Sequence, residues 1–100
     1  MADKVKGKTT SGFAFEIDSN VFKDWRFLRA LRKANADGDD AFGSSMDMVA
    51  FLFNDQKQED RFYDHLAAQN DDGRVPIEVV GKEVGEIMKI VQEKSKEAKN

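Results

Sequence analysis

The stretch from Val75 to Val91, VPIEVVGKEVGEIMKIV, constrains this chain more than any other. Ile77, Val80, Val84, Ile87 and Val91 follow one another at alternating three- and four-residue steps, the spacing that lines one face of an α-helix with an unbroken apolar seam. Pro76 suits the first helical turn, where its missing N–H leaves no intrahelical bond unmade. Glu78 lies near the positive end of the helix dipole, and Lys94, Lys96 and Lys99 lie near or beyond the negative end, so the charge order agrees with helix. A helix patterned in this way must bury its seam, in its own core or against a partner.

The segments able to supply that cover are read from the N-terminus. Residues 1–11 carry lysine, threonine, serine and glycine with almost nothing to bury, which predicts a disordered basic arm. GFAFEID then alternates Phe13, Phe15 and Ile17 against Ala14 and Glu16, the period of a half-buried strand. The pattern offers it no second strand, so it is expected to pair with another chain, with a short unrecognised segment, or to lie extended on helices. From Asp18, Ser19 or Asn20, all good N-caps, the period becomes helical through NVFKDWRFLRALRKANA. Val21, Trp25, Leu28 and Leu31 form its predicted stripe, widened by Phe22 and Phe27, with Trp25 as the central anchor and Lys23, Arg26, Arg29 and Lys33 on the outer face.

ADGDDAFG supplies turn chemistry, and a second helix begins after Ser44 or Ser45 with Met46, Val49, Ala50 and Phe53 on one side. Asn54 and Asp55 break it and cap a third helix, QKQEDRFYDHLAAQ, whose few apolar residues predict a surface position. After NDDGR comes the seam helix, and EKSKEAKN reads as a frayed tail. The expected architecture is mostly α: a compact four-helix domain over residues 12–93, preceded by one short N-terminal β-strand and the arm, and followed by a polar tail over 94–100. The first helix and the Met46–Phe53 helix have the widest apolar faces and are the expected partners of the seam.

Composition narrows the function. The chain has 100 residues and no cysteine, which excludes disulfides, thiolate catalysis and cysteine-ligated zinc and fits a reducing compartment. No apolar run is long enough to span a bilayer, and MADKVKGKTT lacks the apolar centre of a signal peptide; a cytoplasmic protein without a membrane partner is expected. The net charge of −3 is unevenly spread: residues 1–35 carry eight basic and four acidic side chains, residues 36–72 two and ten, and residues 73–100 six and five. A molecule polarised in this way can associate with copies of itself or meet a basic partner, and solubility alone also explains it.

Tests for chemistry fail in turn. Asn35, Asp37 and Asp39 occupy the first, third and fifth positions of an EF-hand loop, but Asp40 stands where glycine is required and Met46 where a bidentate glutamate must close the site. His65, the single histidine, has neighbouring carboxylates but no cysteine nucleophile, no HExxH and no serine in a GxSxG setting. Glu83 with Glu86, and Glu59 with Asp60, read as exposed helix faces. The sequence therefore predicts no catalytic site, no metal and no cofactor. Arg26, Arg29, Arg32 and Lys33, with Lys4, Lys6 and Lys8 upstream, could follow phosphates, yet the chain is acidic overall and nucleic acid is not the expected partner. Eight phenylalanines leave a share of aromatic surface for an interface, although a core can absorb them.

An FxFxID-like strand, a DWxFLxxLxKA helix, an aspartate-rich turn, a hydrophobic helix running into FLFNDQKQEDRFYDHL and a DGRVPIEVVxxEVxEI helix together resemble the small tail assembly chaperones of long-tailed bacteriophages, over about residues 12–92. The resemblance implies a mostly helical, non-catalytic protein that binds the tape measure protein and keeps its hydrophobic helices soluble. It further implies displacement as tail tube protein assembles, action in the host cytoplasm and absence from the mature virion, and a longer form made by frameshifting. The family has no sharp client motif, so no binding residue is carried over. The residues themselves nominate Phe13, Phe15, Trp25, Phe51, Gly81, Gly85 and Met88 as a client or self-association surface. Gly81 and Gly85 lie four apart beside the seam, each costing about 1 kcal/mol relative to alanine in a helix, and a second helix could approach closely there. Rival readings are a minor tail or head-tail connector protein and a small nucleic-acid-binding regulator.

Overall fold

The computed structural model describes residues 4–36 and 41–99, with side chains over 4–36 and 43–94. Residues 37–40 of the acidic turn tested for calcium, the Phe42 side chain and the tail side chains from residue 95 onward lie outside the described residues. The elements run β1 (Lys4–Lys8), β2 (Ala14–Asp18), a 3₁₀ helix (Ser19–Lys23), α1 (Trp25–Ala34), α2 (Ala41–Phe53), α3 (Gln56–Ala67) and α4 (Ile77–Lys99). The protein is mostly helical with a two-stranded antiparallel sheet at its N-terminus.

The strand over Phe13–Ile17 is thus not alone. Its partner is β1, inside the segment the sequence reads as a disordered arm, with Val5 opposite Ile17 and Gly7 opposite Phe15. Residues Thr9–Phe13 close the hairpin. The Gly12 N–H donates to the Thr9 carbonyl and the Thr9 N–H to the Phe13 carbonyl, both at 2.9 Å. Gly12 takes φ +99°, the positive value that a three-residue hairpin loop needs at its last position. Lysines alternate along β1 with Val5 and Gly7 facing inward. One inward position is glycine because the Phe15 ring lies over it: a Cβ on Gly7 would stand 2.6 Å from the ring edge and 3.1 Å from Ile90. Phe15 supplies the apolar contact that β1 itself lacks, so the strand carries little hydrophobic signal.

Trp25 is not the anchor of α1. It is 78% exposed, and the inward face is Phe27, Ala30, Leu31 and Ala34. The reason is a break that propensity does not reveal. Asp24 is extended (φ −81°, ψ 118°), ends the 3₁₀ turn and caps α1 by accepting the Arg26 N–H at 2.9 Å. A stripe begun at Val21 loses its phase there, and the helix restarts at Trp25.

α3 is likewise no surface helix: Phe62 and Leu66 are fully buried. Phe13, Phe53 and Phe62 form a three-ring cluster with centroids 5.1–6.2 Å apart, which joins the hairpin, α2 and α3. Of the seven phenylalanines with described side chains, five are buried and Phe22 and Phe51 pack half-buried against the core. Gln58, also buried, turns its amide onto the free edge of β2: its Oε1 accepts the Glu16 N–H at 2.7 Å and its Nε2 donates to the Glu16 carbonyl at 3.0 Å. One side chain thereby takes the place of a third strand at that residue.

The α4 seam is buried at Val84, Ile87 and Val91 and half-buried at Val80, but Ile77 is 65% exposed. The helix starts one residue after Pro76, whose carbonyl accepts the Val80 N–H. Its main packing partner is β1 rather than α1 or α2, since Ile90 covers Gly7 and Lys94 Nζ donates to the Lys6 carbonyl at 2.6 Å. The helix itself continues to Lys99, past the position where the sequence reads a frayed tail. No helix among the described residues is long and apolar enough to cross a membrane.

Candidate functional site

Two polar regions could carry function, and the first lies at the hairpin tip. TTSG presents its hydroxyls to α3 and α4. Thr9 Oγ1 donates to Glu83 Oε1 at 3.1 Å, and the Ser11 hydroxyl donates to the same oxygen. Glu86 Oε1 accepts both the backbone N–H and the hydroxyl of Thr10, each at 2.6 Å. Ser11 Oγ also lies 3.1 Å from His65 Nε2, which Gln69 approaches at 2.9 Å. Glu83 is only 5% exposed, a buried carboxylate compensated by two hydroxyls. The Thr10 hydroxyl, then its N–H, hold the Glu86 carboxyl below its ordinary value.

Serine, histidine and glutamate meet here, but not as a catalytic triad. A triad needs the carboxylate on the far nitrogen of the imidazole, so that the near nitrogen can take the serine proton. Here Glu83 takes the serine hydroxyl directly, and Ser11 is wedged between two helices. This arrangement clamps the hairpin onto α3 and α4. Glu83 and Glu86 are therefore not a plain exposed pair. A hairpin-turn reading of TTSG after KVKGK was the sequence signal available for the clamp.

The second region is the groove between α1 and α2, helices that pack extensively against each other. Arg26, Arg29 and Lys33 rise along the α1 side, Ser44 and Asp47 line the α2 side, and Phe51 and Ala30 form the floor of a cleft of ≈ 210 Å³. A second cleft of ≈ 180 Å³, towards Asn20 and Asn54, shares Arg26 and Phe51 with the first. The Arg26 guanidinium lies 5.3 Å from the Phe51 ring centre, in cation–π contact. The two clefts therefore meet at the Arg26–Phe51 contact, and Trp25 is exposed at the start of α1.

The residues nominated from sequence separate. Phe51 lies at this groove under Arg26, whereas Trp25, next to Arg26 in sequence, is exposed at the start of α1 and lines neither cleft. Phe13 and Phe15 face the core instead, where the aromatic cluster and Gly7 hold them. Gly81 and Gly85 are exposed on α4, and a Cβ at either would meet nothing within 4 Å, so neither serves a close approach inside the subunit. Met88 is half-buried against the core. Arg26, Arg29 and Lys33 join the site only through the structure, because the sequence treats them as a basic face and Phe51 as a separate aromatic. Among the described residues no group of histidine and carboxylate side chains is arranged to hold a metal. Comparison of the chain with protein-family models, curated proteins and solved structures finds no match to any of them.

Proposed function

We propose that this protein is a non-catalytic assembly chaperone of the phage tail type, which binds helical, hydrophobic segments of a tape measure protein in the host cytoplasm and leaves before the virion is complete. The observation that carries the reading is the cleft between α1 and α2 with Phe51 in its floor, together with the exposed indole of Trp25 at the start of α1. An amphipathic client helix lies in such a groove by burying its apolar face. The resemblance of the helix order and of the FLFNDQKQEDRFYDHL and DGRVPIEVV stretches to tail assembly chaperones supplies the identity of the client. Self-association enlarges the coating surface that one small subunit offers, and the exposed glycine strip of α4 is its candidate contact.

Co-expression with the tape measure protein from the same genome is the test: a larger soluble fraction of the client is expected, and unchanged solubility rejects the reading. The protein should be missing from purified virions by mass spectrometry, whereas a minor tail or connector protein stays in them. A nucleic-acid-binding regulator is the second reading, favoured by the exposure of Arg29, Arg32 and Lys33. It requires DNA affinity that falls steeply with salt.

A further inference from the structure

The groove is charged on one side more than the other. α1 carries Arg26, Arg29, Arg32 and Lys33 and no acidic residue, in a chain whose net charge is −3. Among the described residues, Arg26 pairs with Asp24 across 3.9 Å in an exposed contact, and no ion pair engages Arg29, Arg32 or Lys33. Arg26, Arg29 and Lys33 line the same cleft. Their three- and four-residue spacing puts them over about 10 Å of helix edge. Carboxylates repeating at helical spacing on a partner helix would meet them in order.

The floor is apolar and the shoulder aromatic. Phe51 is half-buried beneath Arg26, and Trp25 stands one turn before the partly exposed Leu28 and the exposed Arg29. Tryptophan and arginine are the residues that most often dominate binding energy at protein interfaces. The opposite wall also shapes the choice of partner. Asp47 lines it, and Asp18 and Asp24 lie at the Asn20 end. A nucleic acid strand, charged along its whole length, would meet these carboxylates as well as the cations, whereas a helix can carry acids on one flank only.

We infer that the α1–α2 groove docks an amphipathic helix of another protein whose apolar face packs on the part of Phe51 that Arg26 leaves open and extends to the exposed Trp25, and whose acidic flank lies along Arg26, Arg29 and Lys33. The inference deepens the client-binding reading, on which it rests, by naming the chemistry of the bound segment.

The test uses the full chain and two synthetic helices of about 18 residues, long enough for five turns. They share one leucine seam and carry glutamate on one flank in the first and lysine there in the second. Trp25 is the chain's only tryptophan, so its emission reports binding directly. The acidic helix is expected to bind at least about tenfold more tightly than the basic one, with an advantage that shrinks as salt screens it. The double variant R29E/K33E, changed at two exposed positions, should keep its circular dichroism and reverse the preference.

Equal affinity for the two helices, no binding of either, or a preference untouched by R29E/K33E overturns the inference. Tighter binding of a single-stranded oligonucleotide than of the acidic helix does the same and favours the regulator. Co-expression separates the two levels. Rescue of the tape measure protein by wild type and R29E/K33E alike removes the charged groove and leaves the chaperone. Selective binding of the acidic helix without rescue does the reverse.

Discussion

The hairpin side of this molecule and its α1–α2 side use polar residues in opposite ways. On the hairpin side, Gln58 closes the edge of β2, Glu83 collects two hydroxyls, Glu86 receives Thr10, and Lys94 reaches the Lys6 carbonyl. Polar groups there are engaged with one another across elements, Gln58 and Glu83 in the interior and Glu86 and Lys94 at the surface. On the α1–α2 side, Arg29, Arg32 and Lys33 point outward beside an exposed tryptophan and a half-covered phenylalanine. The difference teaches where the subunit has used its polar groups and where it has not: one side has closed its hydrogen bonds, and the other leaves charge and aromatic surface exposed.

The contrast breaks most visibly at Phe62. It is fully buried and touches Phe13, Phe53 and Tyr63, so Phe62→Ala should lower unfolding free energy by about 3–5 kcal/mol through lost burial and a cavity. For a domain of about 5–15 kcal/mol total stability this is close to the margin, and urea denaturation reads it. Gln58→Ala comes next. It strips the Glu16 N–H and carbonyl of their partner, at about 1–3 kcal/mol if water does not replace both bonds, and amide exchange at Glu16 should rise with it. A loss of no more than a surface substitution gives would show that the β2 edge needs no closure.

A smaller effect follows from Glu86. Its carboxyl is held below its ordinary 4.5 by Thr10, so the native state binds fewer protons than the unfolded chain in that window. The Thr10 contact therefore contributes above pH 4.5 and is lost as pH falls through the lowered native value. Glu86→Gln should flatten the acid limb of stability measured between about pH 6 and about pH 3. The same acid limb in the variant and the wild type would detach the clamp from Glu86. Trp25→Ala should matter least to the fold, within about 0.5 kcal/mol, since the indole is largely in solvent. A thermal melt showing a much larger loss would mean that the α1 side is structural after all.

Legibility differed between particular residues. The period-two alternation of Phe13, Phe15 and Ile17 was readable, because each of these side chains faces the core. Its partner strand was not, because Phe15 fills the place where β1 has Gly7. In α1 the helical period puts Arg26 and Arg29 on the outer face, where they lie, but it also puts Trp25 inward, because nothing local announces that Asp24 is extended and resets the helical phase. α3 looked like a surface helix because two large side chains carry its whole apolar face. Of the candidate groove, Phe51 and the basic row could be named separately, but their meeting across α1 and α2 could not.

By itself the sequence determined the helical class, the α4 seam at Val84, Ile87 and Val91, the inward face of β2 and the outward row of α1 cations. These follow from periodicity, which is a property of neighbours along the chain. Tertiary structure alone decided that Gly7 lies under Phe15, that Gln58 completes an edge, that Glu83 is buried among hydroxyls, and that Arg26 covers Phe51. Each of these joins residues distant in sequence or on separate elements, and the packing of one element on another, rather than any local preference, brings them within contact distance.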